Sequence, residues 1–191
     1  MNLNLSPSFI EIYDKVLSSE DCERLISQFE KSPRKEGVVL SNGKAILDHK
    51  SKKSLEVYDT RFSKPSVISS VIRDALDICY GRYKEKYSIF NSYVKGLVYE
   101  DGYTFKKFEG EDAGYKRWHK EHGSSDIASK RVLVWAFYLN DSAGTDFMFY
   151  PNVRAKRGRG VIFPASFNYM HRSSPNKGIK YLVTGWITYR V

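Results

Sequence analysis

Residues 130–150 read KRVLVWAFYLNDSAGTDFMFY, and the pattern in this stretch indicates the fold. Two runs rich in β-branched and aromatic residues lie on either side of NDSAGT, a cluster of residues that favour turns. Similar runs follow one another from about residue 92 to the end of the chain: YVKGLVYE, TFKKFE, GVIFP and KYLVTGWITYR. The first two are separated by EDG (100–102), which is expected to be a turn. Short strands at this spacing, with no helical pattern between them, predict an antiparallel sandwich or barrel.

The first half of the chain has a different pattern. FIEIYDKVL (9–17) alternates and predicts a strand. Ser18 then precedes a helix that has Cys22, Leu25 and Phe29 on one face. A strand followed by a helix is therefore expected before the β-rich region.

Residues 31–54 are polar and predict either a short hairpin around Asn42-Gly43 or a mobile loop. A second helix is expected to begin near Pro65. The predicted architecture is mainly β with flanking helices (α+β), in which an N-terminal strand and two helices pack against an antiparallel core. We expect a single domain over 1–191, with a helical part at 1–90 and a catalytic β core at 91–191.

The composition of the 191-residue chain is that of a globular protein, with 41% hydrophobic and 15% aromatic residues. The formal net charge of +9 would suit an anionic cosubstrate, an acidic peptide or nucleic acid. The densest basic clusters, KSKK (50–53) and RAKRGR (154–159), have no interleaved aromatic residues for stacking on bases. We therefore favour solvation and electrostatic steering over nucleic-acid binding as the role of this charge.

The sequence has no run of about 18 apolar residues and no signal-peptide pattern at its start. A membrane partner is therefore not expected, and the predicted location is cytoplasmic. The two cysteines, Cys22 and Cys79, fall on the apolar faces of the predicted helices and are expected to be reduced and buried.

The residues that carry chemistry are two histidines and a carboxylate. His119 and Glu121 lie in WHKEHG, and His171 lies in NYMHRSSP. On an extended strand the side chains of residues 119 and 121 point to the same face, and a histidine from a neighbouring strand can complete a set of three ligands. Two imidazoles and one carboxylate form the facial triad that holds non-haem Fe(II) and leaves positions open for small molecules. His122 has the opposite parity and is expected to point away.

Further residues could hold an anionic cosubstrate beside the metal. Lys180 in KYLVTGW provides a cation for a distant carboxylate, and Thr184 has the same strand parity. Tyr138 in WAFYLND provides a phenol that could bind the same anion. Each of these residues alone is more typical of a core or surface position, but their occurrence together with the triad indicates a cosubstrate site.

The same motifs resemble a known family. In order along the chain, YKRWHKEHG, KRVLVWAFYLND, GTDFMFY, RGRGVIFPASFNYMHRSSP and GIKYLVTGW are similar to the prolyl 4-hydroxylase-like branch of the Fe(II)/2-oxoglutarate dioxygenases. The N-terminal FIEIYDKVLSSEDCERLISQFE is also similar to that branch, in which a strand and a helix precede the catalytic core. The resemblance covers most of the chain and is densest from residue 97 to residue 188.

The resemblance implies a fold, an activity and a set of site residues. The fold would be a double-stranded β-helix, the jelly roll of cupin-like proteins, open at one end over the metal. The activity would be hydroxylation, with a prolyl residue of a peptide or protein favoured as substrate, while 2-oxoglutarate and dioxygen give succinate and carbon dioxide. The iron ligands would be His119, Glu121 and His171. The residues around 2-oxoglutarate would be Tyr138, Lys180, Thr184 and, on the floor of its pocket, Trp186. A dependence on ascorbate is left open.

Two departures from the family pattern affect these expectations. Glu121 stands where aspartate is commoner, and its extra methylene requires a slight shift of the strand or the metal. SAGTDF (142–147) stands where many relatives have a turn similar to GGET at the mouth of the site, so the substrate of close relatives does not transfer directly. Substrate contacts are expected from Trp118, beside the first ligand, and from Arg154 and Arg157 in the basic cluster.

Other functions remain open at the level of sequence. A zinc-type jelly-roll metalloenzyme would use the same three ligands but would not need Lys180 and Tyr138 together. A basic nucleic-acid-binding module, or a nucleic-acid dealkylase, would bind DNA or RNA with a steep dependence on salt. The oligomeric state is open, and so is the question whether residues 31–60 form an ordered lid.

Overall fold

The computed structural model describes residues 8–41, 44–59 and 66–190. Its helices are α1 (Ser19–Lys31), α2 (Val67–Lys86) and α3 (Ser88–Tyr93). Its strands are β1 (Glu11–Tyr13), β2 (Lys35–Glu36), β3 (Val39–Ser41), β4 (Lys44–Ile46), β5 (Lys52–Lys53), β6 (Leu55–Asp59), β7 (Leu97–Glu109), β8 (Gly114–Tyr115), β9 (Arg131–Tyr138), β10 (Ser142–Phe147), β11 (Val153–Ala155), β12 (Arg159–Pro164), β13 (His171–Ser173) and β14 (Ile179–Tyr189). The prediction of a mainly β protein with flanking helices is confirmed.

Seven strands form one large sheet in the order β1–β12–β9–β14–β7–β6–β2, and every neighbouring pair is antiparallel. In a second, smaller sheet β10 lies between β11 and β13, and two short pairs, β3–β4 and β5–β8, complete the β structure of the described residues. Strands β1, β6 and β2 lie towards the edges of the large sheet. The N-terminal part of the chain therefore contributes to the β core as well as to the helical layer.

Alternation along β9 gives the large sheet two different faces. Leu133, Trp135 and Phe137 pack in one core with α1 and α2. The residues between them pack in a second core with side chains of the small sheet, and these residues are Val134, Ala136 and Tyr138. One face of the large sheet therefore carries the helices, and the other faces the small sheet.

Both long helices begin at serine residues that cap them. The Ser18 side chain accepts an amide hydrogen bond at the start of α1, and Ser66 and Ser69 form a reciprocal capping box at the start of α2. The helix expected near Pro65 begins at Val67, and Pro65 itself lies outside the described residues. The apolar faces predicted from the sequence are buried, and both cysteines on them are free thiols. None of the described helices is long and apolar enough to cross a membrane.

The strand predicted at 9–17 is much shorter than expected. It extends only over Glu11–Tyr13, because Phe9 and Lys15 on either side of it have φ angles of 54° and 58°. A residue with positive φ does not continue an extended strand. The alternating pattern thus predicted the strand but not its ends.

The turn predicted at EDG (100–102) is instead a bulge inside one strand. β7 runs through it as a single strand of 13 residues, and its register against β14 shifts between Gly185 and Ile187. Acidic residues followed by glycine suit a bulge as well as a turn, which is why the pattern is ambiguous. The preceding run YVKGLVYE is a strand only from Leu97, because Ser88–Tyr93 form α3, a third helix that the sequence pattern does not predict.

The described residues between 31 and 59 contain more regular structure than a loop. β3 and β4 pair as the two arms of a hairpin, while Asn42 and Gly43, where its turn is predicted, lie outside the described residues. β6 pairs with β7, so this part of the chain is joined to the large sheet by backbone hydrogen bonds.

Replacing Leu76 with alanine should destabilise the protein. Leu76 is fully buried on α2 against the sheet, so its truncation removes apolar contacts and should cost about 2–5 kcal/mol in the free energy of unfolding. Ile78→Ala is a matched control on the same helix, because Ile78 is 48% exposed and its loss should cost less than about 1 kcal/mol. Urea denaturation measures both values, and equal losses would show that α2 does not pack on the sheet through this face.

Candidate metal centre

A reciprocal pair of backbone hydrogen bonds brings two histidines together. The amide of His119 donates to the His171 carbonyl at 3.0 Å, and the amide of His171 donates to the His119 carbonyl at 2.9 Å. The two imidazole centroids are 4.3 Å apart. The extended strand expected for residues 119–121 is reduced to this single bridge, because the amides of Glu121 and His122 donate to the Ala165 carbonyl, at 3.2 Å and 2.9 Å, and not to β13.

Glu121 points to the same place as the two imidazoles. Its Oε1 lies 3.5 Å from Nε2 of His119 and 3.8 Å from Nε2 of His171. Among the described residues these three form the one group of metal-binding side chains whose ligand atoms all lie within 4.8 Å of one another. The neighbouring His122 does not join them, since it is exposed and its Nδ1 lies 3.3 Å from the Arg131 carbonyl. Two nitrogen donors and one oxygen donor around a small gap are the donor set of a non-haem iron centre.

Backbone carbonyls fix the orientation of both imidazoles. Nδ1 of His119 lies 3.0 Å from the Arg117 carbonyl, and Nδ1 of His171 lies 3.0 Å from the Tyr169 carbonyl. Because a carbonyl oxygen only accepts hydrogen bonds, each Nδ1 carries a proton and each Nε2 faces the gap. Burial lowers the pKa of His171 to about 3, so this imidazole is neutral at physiological pH. A neutral imidazole with a free Nε2 is the form that binds a metal.

The second oxygen of Glu121 is held by a tryptophan and an arginine. Nε1 of Trp186 donates to Oε2 at 3.1 Å, and Arg131 approaches the same oxygen at 3.5 Å. The Arg131 guanidinium lies 3.4 Å from the centroid of the Trp186 ring and donates two hydrogen bonds of 3.1 Å to Glu100. Burial has the largest single effect and acts to raise the pKa of Glu121, but His119, His171 and Lys106 together outweigh it and hold this pKa well below its usual range. The carboxylate is therefore ionised, and its Oε1 is left for a metal.

Tyr115 supports the first histidine from β8. Its ring is stacked on the imidazole of His119, with 3.7 Å between centroids and 13° between planes. On β5, the Lys52 ammonium lies 5.5 Å from the centroid of the Tyr115 ring and pairs with Glu56 at 2.9 Å. These contacts connect the segment at 31–60 to the metal centre.

His119, Glu121 and His171 line a cavity of about 60 Å³, and Lys180 lines it too. Lys180 is only 1% exposed, and its Nζ donates to the Gly144 carbonyl at 2.9 Å. Burial lowers the pKa of Lys180 to about 8, even though Asp146 lies close enough to act against this shift. An ammonium group has three donors, and no second acceptor for Nζ occurs in the described part of the chain. A buried ammonium with donors to spare is suited to binding a carboxylate.

The other residues predicted for the cosubstrate differ in where they lie. Thr184 lines the cavity, and its hydroxyl donates to the Trp135 carbonyl at 2.7 Å. Tyr138 is buried and does not itself line the cavity; its hydroxyl is 2.7 Å from that of Thr145, which does. Trp186 is absent from the cavity wall as well, because its indole N–H is directed at the ligand carboxylate.

The residues predicted to contact substrate are not gathered at the cavity. Trp118 lies next to it, because Arg172, which lines the cavity, sits 4.5 Å from the centroid of the Trp118 ring. Arg154 is exposed on β11, and Arg157 pairs with Glu23 of α1 at 2.9 Å. Since α1 packs on the outer face of the large sheet, the charge of Arg157 is directed away from the cavity.

Sequence patterns did not identify several residues of the site, namely Tyr115, Arg131, Lys52 and Lys106. Tyr115 and Arg131 contact two of the proposed ligands, Lys52 contacts Tyr115, and Lys106 lines the cavity. Only the strand register reveals these positions. Lys106 could have been found from the alternation in TFKKFE, which places it on the same face as Phe108.

Comparison with solved structures identifies the fold. A viral collagen prolyl hydroxylase from Paramecium Bursaria Chlorella virus-1, in a 2-oxoglutarate complex, is 18% identical and matches with a TM-score of 0.65 over 95% of this chain and 97% of its own. A Pseudomonas putida prolyl-4-hydroxylase is 16% identical, with a TM-score of 0.63 over 98% of this chain and 96% of its own. A Trichoplax adhaerens prolyl hydroxylase, in complex with a hypoxia inducible factor peptide fragment, is 14% identical, with a TM-score of 0.69 over 96% and 85%.

The chain has the prolyl hydroxylase fold. The predicted double-stranded β-helix, or jelly roll, is confirmed, and the large and small sheets are its two sides. No protein-family model and no curated protein matches the sequence, so the likeness is one of structure at low sequence identity.

Replacing Trp186 with phenylalanine should weaken metal binding while the fold is kept. The substitution removes the N–H that holds Oε2 of Glu121 but retains an aromatic ring under Arg131. Loss of such a contact to a ligand typically lowers metal affinity by roughly 10- to 100-fold. Calorimetric titration with Mn(II) measures the affinity, and Tyr189→Phe, on the same strand and without contact to Glu121, is the control. Unchanged Mn(II) affinity in Trp186→Phe would show that the indole does not position the carboxylate.

Proposed function

We propose that this protein is an Fe(II)/2-oxoglutarate-dependent dioxygenase that hydroxylates a prolyl residue of a peptide or protein. The observation that carries the proposal is the meeting of two features in one cavity: the donor set of His119, Glu121 and His171, and the buried Lys180. The first suits Fe(II), and the second suits the far carboxylate of a cosubstrate. A zinc hydrolase would need the first feature but not the second.

Fe(II) fits the three side chains on the chemistry of their donors. Two imidazoles present Nε2 and an ionised carboxylate presents Oε1, and no fourth histidine, cysteine or carboxylate of the described residues joins them. His119, Glu121 and His171 would hold the ion and leave its other side accessible from the cavity. When bound, iron and 2-oxoglutarate would supply the oxidising chemistry that turns dioxygen, 2-oxoglutarate and the prolyl substrate into succinate, carbon dioxide and the hydroxylated product.

The other residues of the cavity would orient the cosubstrate and exclude water. Lys180 would pair with the far carboxylate of 2-oxoglutarate, and the hydroxyls of Thr145 and Thr184 line the wall beside it. Tyr138 would act through Thr145, whose hydroxyl it contacts. Trp186 would orient Glu121 and would not contact the cosubstrate.

A peptide or protein is the substrate class that the comparisons support. The Trichoplax protein is in complex with a peptide fragment, and the Chlorella virus protein is described as a collagen prolyl hydroxylase. The net charge of +9 would favour an acidic peptide. Trp118 and Arg172, which lie in contact beside the cavity, would be the first side chains to meet it.

The affinity for 2-oxoglutarate should fall at alkaline pH. Lys180, with a pKa of about 8, is charged below that pH and neutral above it, and only the charged form pairs with a carboxylate. The affinity should therefore be highest below the pKa and should fall by up to about tenfold per pH unit above it. Titration of the Zn(II)-loaded protein from neutral pH to two units above the pKa measures this, and Lys180→Arg is the matched variant because arginine stays charged. A wild-type affinity as flat as that of Lys180→Arg would contradict the assignment.

Anaerobic addition of Fe(II) and then 2-oxoglutarate should produce the weak metal-to-ligand charge-transfer band in the visible range. His171→Ala should abolish the band, because it removes one of three ligands. In air, the wild-type protein should release succinate when a proline-containing peptide is added. Absence of the band with the metal demonstrably bound would refute the cosubstrate site and favour a zinc-type metalloenzyme.

A further inference from the structure

One cation in the cavity has no hydrogen-bond or ion-pair partner among the described residues. Lys106 lines the cavity from β7. The other cationic side chains around it are engaged: Lys52 with Glu56, Arg172 with Asp146, and Lys180 with the Gly144 carbonyl. Within residues 8–41, 44–59 and 66–190, the Lys106 ammonium makes no hydrogen bond or ion pair. Three donors of a charged group are therefore available to a ligand.

Strand alternation explains why Lys106 points into the cavity and its neighbour does not. Lys107 projects from the opposite face of β7, where it pairs with Glu30 of α1 at 3.2 Å and with Glu109 at 3.0 Å. The two adjacent lysines thus have opposite surroundings. Lys107 forms ion pairs with two carboxylates. Lys106 forms no ion pair among the described residues, although its charge stabilises the ionised forms of Glu56 and Glu121.

The register of the sheet places Lys106 between the buried lysine and the metal ligands. Lys106 is opposite Leu182, which lies two residues along β14 from Lys180. Two residues of a strand span about 7 Å, which is comparable with the separation of the two carboxylates of 2-oxoglutarate. In the same direction β14 continues to Trp186, whose indole binds Glu121.

The charges of the two lysines act on each other. Burial is the main cause of the lowered pKa of Lys180, and the positive charge of Lys106 lowers it further. Two ammonium groups in a partly water-excluded cavity favour a dianion that can accept hydrogen bonds from both.

We propose that Lys106 is a second cosubstrate-binding residue, which pairs with the carboxylate of the 2-oxo acid that lies next to the metal. Lys180 pairs with the far carboxylate. This inference rests on the proposed function. It adds a residue that would bind the carboxylate that all 2-oxo acids have beside the keto group. It follows that a 2-oxo acid without a far carboxylate depends on Lys106 but not on Lys180.

The test compares two ligands on Zn(II)-loaded protein, which binds without turnover. The ligands are 2-oxoglutarate and 2-oxovalerate, which has the same 2-oxo acid group and no far carboxylate, and calorimetry gives both dissociation constants. Lys106→Met should weaken both ligands by a similar factor, roughly 10- to 100-fold, because each loses one charge-assisted hydrogen bond. Lys180→Met should weaken 2-oxoglutarate by a comparable factor and leave 2-oxovalerate unchanged.

Lys107→Met is the matched control, because it removes an equal charge from the same strand but from its opposite face. It should bind both ligands as the wild type does. A thermal melt of each variant in the Zn(II)-loaded form establishes that the fold is retained.

Three results would overturn the assignment. If Lys106→Met bound both ligands as the wild type does, while Lys180→Met lost 2-oxoglutarate, Lys106 would have no role and the proposed function would stand. If Lys106→Met lost affinity for 2-oxoglutarate alone, Lys106 would lie at the far carboxylate and not beside the metal. If the wild type bound neither ligand, the proposed function would fail together with the inference.

Discussion

The reciprocal backbone hydrogen bonds between His119 and His171 determine where the site lies. They bring together a segment without regular secondary structure and the first residue of β13. The amides of Glu121 and His122 both donate to the Ala165 carbonyl, at 3.2 Å and 2.9 Å, so the segment is fixed again two residues further on. The side chains of His119, Glu121 and His171 are thus positioned by backbone contacts that do not depend on a metal. A site fixed in this way has little to reorganise when a metal binds.

The two faces of the large sheet have different roles: the outer face contributes stability, and the inner face carries the charged groups of the proposed site. Its outer face gains apolar burial from α1 and α2, where Leu25, Leu76 and Trp135 are fully buried. Its inner face can therefore carry charged groups such as Lys180, which cost free energy when they are removed from water. Because strand residues alternate between faces, each strand contributes to both functions at once. A shift of register by a single residue would exchange the two sets of side chains.

Much of the fold could be predicted from the sequence, because the apolar faces of the helices and the β-prone runs have clear periodicities. The three proposed ligands could be identified for a different reason. Their residue types bind iron, and they occur in motifs that follow the same order as in the family that the sequence resembles. The surroundings of these residues could not be predicted in the same way. That Trp186 contacts Glu121, or that Lys106 and Lys180 lie on the same face of the sheet, depends on which strands are neighbours and in which register. The ends of β1 could not be predicted either, because the positive φ angles of Phe9 and Lys15 that end it do not change the hydrophobic pattern of the sequence.

The glutamate at position 121 and the bulge at 100–102 belong to one connected set of contacts. Glu100, in the bulge of β7, holds the Arg131 guanidinium through two hydrogen bonds, and that guanidinium is stacked on Trp186. Trp186 lies on β14 where the register shifts, and its N–H holds Oε2 of Glu121. An aspartate at position 121 would be one methylene shorter, so it could not reach both this N–H and the gap between the imidazoles without a movement of the backbone. The residues that the sequence predicts as a turn are therefore part of the arrangement that lets the longer carboxylate present a single oxygen to a metal.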